Sequence, residues 1–195
     1  MKRILLAVAA AVLLALPSDA RVKVDTAHDP EADFSTLRAW AWPADGPGQV
    51  KMALTKDDDP EPIRKRFEPT VMASVEEALA KKGFRKAGAG ESPDFLVAYF
   101  ALISVSTSGQ TLGQFLPGTV AWGLPPFDAV ATSLKIYEQG SLVLDVMAPD
   151  SKPMWRGVAR AEVHRDRPDA ERIKRIREAV FDLVNKFPPK QKKKS

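Results

Sequence analysis

The chain contains no cysteine. A thiolate nucleophile, a cysteine-ligated metal and disulfide stabilisation are therefore all excluded, and the folded body must hold together by its core alone. A lipid anchor is excluded as well, because that attachment needs a cysteine at the cleavage point. Histidine is scarce, with only His28 and His164. A catalytic zinc takes three protein ligands, so neither histidine makes a convincing metal site. There is no Gly-x-Gly-x-x-Gly, no phosphate loop and no Gly-x-Ser-x-Gly elbow to present a nucleophile. No cofactor is expected. After residue 20 no apolar run approaches the roughly 20 residues needed to cross a bilayer.

The exception is the start of the chain. Lys2 and Arg3 precede an apolar run from Ile4 to Leu16, Pro17 breaks it, and Ser18-Asp19-Ala20 supplies small residues where a signal peptidase reads. This is the pattern of a secretory leader cleaved after Ala20. The expected organisation is a signal peptide over 1–20, one domain over 21–189 and a basic tail over 190–195, with the mature protein exported to the periplasm. The net charge of +4 shifts accordingly. Cleavage removes two basic residues and one acidic one, leaving +3, and the body without Lys190, Lys192, Lys193 and Lys194 carries −1. The basicity is a property of the tail, so a nucleic-acid-binding face is not expected. The tail itself could touch an anionic membrane weakly, since each lysine there contributes up to about 1 kcal/mol.

Alternation of apolar residues predicts a short strand at Val22–Val24 and another over Arg38–Trp42. Pro43–Pro62 reads as an exposed loop. Ile63, Phe67, Val71, Val75 and Leu79 recur at helical spacing, and Pro69 predicts either a kink or a helix that becomes continuous only there. Gly83 closes it. Phe84–Ala87 is a short strand, and Asp94–Thr107 is the strongest strand signal in the chain. Two more strands, Val130–Tyr137 and Leu142–Ala148, are expected as a hairpin joined at Glu138-Gln139-Gly140, followed by Met154–His164. In that strand Trp155 and Gly157 share one face, and Arg156, Arg160, Glu162 and His164 the polar one. Ile173, Ile176, Val180, Leu183, Val184 and Phe187 form the apolar stripe of a final helix. Hairpin turns and two one-sided helices predict an α+β two-layer sandwich, a mainly antiparallel sheet with both helices on one face.

Several of these pieces together resemble a bacterial envelope family, domain of unknown function 4136. They are Val22-Lys23-Val24-Asp25, Asp33-Phe34-Ser35, Trp40-Ala41-Trp42, Ala80-Lys81-Lys82-Gly83-Phe84 and Pro93-Asp94-Phe95. Further on come Gly140-Ser141-Leu142-Val143-Leu144-Asp145, Trp155-Arg156-Gly157 and Phe187-Pro188-Pro189. Many proteins of this pattern are lipoproteins, and this chain departs from them in lacking the anchoring cysteine. The resemblance implies a fold and a compartment, and no activity.

Candidate chemistry is sparse. His28 beside Asp25 and Asp29 could serve an envelope hydrolase, although turn and surface positions account for all three. Asp57-Asp58-Asp59 lacks the spacing of a calcium loop. Trp40, Trp42 and Trp155 could form a binding platform, but their strand positions favour core packing. The segment 108–128 is different. It interleaves glycine and proline with Leu112, Phe115, Leu116, Trp122 and Phe127, and a loop of that length in a compact domain is usually functional or unstructured. The expectation is a non-catalytic exported protein that offers these five side chains to a protein or lipid partner.

Overall fold

The computed structural model describes residues 22–53, 61–104, 139–162 and 167–190. Seven strands form one sheet: β1 (Lys23–His28), β2 (Ala39–Ala41), β3 (Gly48–Ala53), β4 (Arg85–Lys86), β5 (Phe95–Ser104), β6 (Gln139–Met147) and β7 (Pro153–Glu162). Two helices accompany them, α1 (Glu61–Lys81) and α2 (Asp169–Asn185). The strand order is β1-β7-β6-β5-β2-β4, with β3 also on β5. The long central pairings β5–β6, β6–β7 and β1–β7 are antiparallel, while β2 and β3 lie parallel to β5. The fold is α+β, with a mostly antiparallel sheet.

The strand period sorts each side chain to a face. Phe95, Val97 and Tyr99 of β5, Leu144 and Val146 of β6, and Trp155 and Ala159 of β7 join Val71, Val75, Leu79, Val180, Leu183 and Val184 of the helices in one core. Both helices thus cover the same face. They run parallel, because Arg66 pairs with Asp169 near their starts while Lys82 reaches the end of α2. Between these points Arg177 bonds Glu77 at 2.6 Å, and Lys81 and Arg177 stand over the Phe181 ring at 4.8 and 5.1 Å.

One expectation is corrected, and of the two alternatives at Pro69 the late start is dropped. The stretch 43–62 is not simply loop: Gly48–Ala53 is a strand against β5, and Tyr99 N–H donates to the Pro47 carbonyl at 3.0 Å to start the pairing. Helix α1 begins at Glu61 and continues through Pro69. Lys65 and Pro69 are both exposed there, so the carbonyl deprived of its partner by proline can turn to water. Arg64 also bridges Glu61 and Glu68 across that first stretch, at 2.7 and 3.2 Å. The expected partner strand Val130–Tyr137 lies outside the described residues. Gln139 and Gly140, expected in the turn between the two strands, belong to β6 itself.

Asp94 fixes the far side of the sheet. One of its carboxylate oxygens accepts the backbone N–H groups of Arg38 and Ala39, each at 2.8 Å, which holds β2 at the start of β5. Those two bonds keep its carboxyl below the ordinary aspartate value of 3.8. Asp94→Ala is expected to speed hydrogen exchange at Arg38 and Ala39 and to lower the melting temperature at neutral pH. Because the folded-state value is depressed, the difference from the parent is present above the ordinary value and closes as pH falls through the folded-state one. An unchanged exchange pattern would show that Asp94 does not hold this edge.

Candidate functional site

The residues singled out for chemistry at the start of the domain are not assembled. Asp25 and His28 sit on β1 at odd and even positions and so point to opposite faces. Asp25 pairs with Arg160. His28 stands edge-on to Phe34, ring centroids 6.0 Å apart. Asp29 accepts the Glu31 N–H at 2.9 Å, with Lys152 at 3.4 Å. Each residue is turned toward a different neighbour, and no group of three metal-ligating side chains occurs among the described residues. The tryptophans do not form a platform either. Trp40 and Trp155 are buried in the core, and Trp42 packs edge-on to Trp40 at 5.0 Å while its indole N–H reaches Glu76 at 3.3 Å.

The remaining candidates fall outside the described residues: Leu112, Phe115, Leu116, Trp122 and Phe127, the acidic run at 57–59, His164, and Lys192, Lys193 and Lys194. Lys190 is described and exposed.

The pieces of sequence that recur as a pattern converge at two places. The first is an aromatic pole at one end of the sheet. Phe187 lies 5.9 Å from Phe34, 5.4 Å from Phe84, 5.6 Å from Phe95 and 5.5 Å from Trp155, centroid to centroid. Lys82 closes this pole by donating to the carbonyls of Val184, Asn185 and Phe187 at 3.2, 3.1 and 2.5 Å. A helix C-terminus leaves such carbonyls unpaired and attracts a cation, so one ammonium group serves both needs.

The second is on the sheet face away from the helices, and sequence reasoning missed it. Asp145 of β6 and Arg156 of β7 are directly opposite in register. The guanidinium grips the carboxylate with two bonds, Nε to Oδ1 and Nη2 to Oδ2, both 2.5 Å. Arg156 is 1% exposed and Asp145 3%. Burial pushes the Asp145 carboxyl above the ordinary aspartate range, opposed by the bonds and charge of Arg156. Around the pair lie Ala98, Ser141, Val143 and Val158, all buried, with the Asp25–Arg160 pair at the margin. A bidentate pair of this kind fixes one register between two strands.

The architecture is that of a two-layer α+β domain built on a mixed sheet. The chain belongs to the family described as Domain of unknown function (DUF4136), whose model matches residues 24–189. A DUF4136 family protein from Bacteroides thetaiotaomicron, solved as a crystal structure, is similar over 87% of this chain and 97% of that one, at 15% identity and a TM-score of 0.53. A PDZ domain protein from Parabacteroides distasonis is similar at 11% identity and a TM-score of 0.51, over 88% of this chain but 37% of the other. At such identities the likeness is one of fold. No curated protein matches the chain.

Proposed function

We propose that this protein is a non-catalytic exported component of the cell envelope that binds a protein or lipid partner in the periplasm. The observation that carries the reading is the use made of its charged residues. Asp25, Asp29, Asp94, Asp145, Arg156 and Lys82 each make contacts that build the fold, and His28 packs against a ring. The secretory leader supports the compartment. The apolar loop residues Leu112, Phe115, Leu116, Trp122 and Phe127 supply the contact surface in this reading, because exposed apolar clusters mark interaction sites.

The test is a triple replacement, Phe115→Ser, Leu116→Ser and Trp122→Ser, made in the full chain. The melting temperature should stay near that of the parent. Crosslinked partners recovered from cells, and the fraction sedimenting with membranes, should fall by about tenfold, as expected when a few anchors carry most of the binding energy. Unchanged crosslinks and an unchanged membrane fraction would refute the loop as the contact surface. Protein recovered from the cytosol with residues 1–20 intact would refute the compartment.

A further inference from the structure

β1 ends the sheet on its side: it pairs with β7, and among the described residues no strand lies beyond it. The ladder tells which of its backbone groups are left over. Asp29 N–H donates to the Met154 carbonyl at 2.9 Å, continuing the register in which His28 faces Trp155. Antiparallel partners alternate between pairs that exchange hydrogen bonds and pairs that do not. The bonds to β7 therefore belong to Lys23, Asp25, Ala27 and Asp29, and the backbone groups of Val24, Thr26 and His28 point away from the sheet. Thr26 and His28 are exposed. Such an edge is a template for another strand, and folds commonly blunt it with proline or a bulge. β1 has neither, and its six residues keep one unbroken register.

We propose that β1 pairs antiparallel with β1 of a second copy, about a two-fold axis at Thr26, so that two sheets join into one. Only even-numbered residues have backbone groups to offer, so even must face even. Centred on Asp25, the strands would set Asp25 against Asp25. Centred on Ala27, they would set Asp25 against Asp29. Centred on Val24, Ala27 and His28 would face positions before β1 and lose their partners. Centred on Thr26, the whole strand is used. Val24 then faces His28, Asp25 faces Ala27, Thr26 faces Thr26, and Lys23 faces Asp29.

The charges select this register. Opposite charges across paired strands attract, and like charges directly opposite repel. Lys23 is exposed, makes no ion pair among the described residues and stands opposite Arg160 within its own chain, so it lacks a countercharge. The partner's Asp29 supplies one, and symmetry makes the contact twice. Asp29 in turn has Lys152 3.4 Å away and can take a second cation. Asp25 is already answered by Arg160 and would face only the small neutral Ala27. Pairing of this kind is independent of the partner contact proposed for the apolar loop.

The chain has no cysteine, so a single introduced thiol reports on the axis directly. In this register Thr26→Cys brings two thiols to facing positions, with Cα atoms about 5.5 Å apart and within reach of a disulfide. His28→Cys leaves its two thiols roughly 13 Å apart. Mild oxidation should link the first variant about tenfold faster than the second. Equal rates, or no link from Thr26→Cys, would overturn the proposal. By sedimentation the unaltered protein should be a dimer. Thr26→Pro deletes the two central bonds of the interface while sparing the ladder to β7, so it should sediment as a monomer with the parent's circular dichroism. Lys23→Glu sets like charges against Asp29 twice at an exposed position, and should weaken association by about tenfold. A monomeric parent, or a dimer indifferent to Lys23→Glu, would overturn the proposal even if Thr26→Pro failed to fold.

Discussion

Arg156→Met is expected to destabilise the protein by about 3–5 kcal/mol at neutral pH, the range found when one partner of a buried ion pair is removed and the other is left behind. The stranded group is Asp145, which has almost no access to water. Burial already raises its carboxyl, and Arg156 supplies the bonds and charge that oppose the rise. Without the guanidinium the folded-state value rises further, and this fixes the sign of the pH dependence. At a pH below the unfolded value the carboxyl is protonated in both states and the charge penalty is absent. The penalty grows as pH rises and is complete above the folded-state value. The variant's deficit, from urea unfolding, should therefore be largest at neutral pH and shrink on moving toward the ordinary aspartate value of 3.8.

Replacing both partners, Asp145→Val with Arg156→Met, should restore most of the loss. Apolar side chains of similar volume avoid the desolvation of two charges, and such exchanges are often neutral or stabilising. A deficit for the single variant that does not change with pH would mean that Asp145 is not the buried charge that matters. A double variant as unstable as the single one would mean that the pair is required for more than mutual neutralisation.

What could be read in the sequence follows from how each element is stabilised. β5, β6, β7 and α2 each carry a regular stripe of apolar residues toward the core, so their periods were visible. β3 was not, because it follows Gly46-Pro47 and its first four residues, Gly48-Gln49-Val50-Lys51, hold a single apolar residue. Its strand state comes from the long edge that β5 offers, which is a tertiary effect. Helix α1 was delayed in the reading by Pro69, whose local penalty is offset by ion pairs and an exposed position. Ile173 was assigned to the apolar stripe of α2 but is exposed, since that stripe meets the core only from Ile176 onward.

The Asp145–Arg156 pair was half legible. An aspartate in an otherwise apolar strand and an arginine beside a buried tryptophan were both in view, and alternation placed Arg156 on a polar face. The register that joins them was hidden. Met147 pairs with Pro153, and continuing that register would set Asp145 opposite Trp155. An irregularity between Val146 and Met147 shifts the pairing by one residue and brings Arg156 opposite instead. A one-residue slip of this sort sends side chains to the other face, and turn sequence alone does not announce it.

Gly157→Ala is the second large effect expected, and its sign separates two accounts of that glycine. Glycine inside a strand is intrinsically unfavourable, so alanine at an open position of β7 would be neutral or stabilising. At Gly157 the space is taken. A methyl group built there would lie 2.4 Å from Cη2 of Trp155 and 2.7 Å from Cδ2 of Leu183 on α2. Neither neighbour can yield easily, since Trp155 is held against Phe187 and Leu183 is fully buried. The substitution should therefore destabilise by about 1–3 kcal/mol, the usual cost of overpacking a core, and valine should do worse despite its preference for strands. Leu183→Ala removes one of the two obstructions, so the double variant should lose less than the two single losses combined, by an amount typical of residues in contact. Urea unfolding of the three variants decides the matter. Strictly additive losses, or an alanine variant more stable than the parent, would mean that the close approach of α2 to the sheet does not depend on the missing side chain.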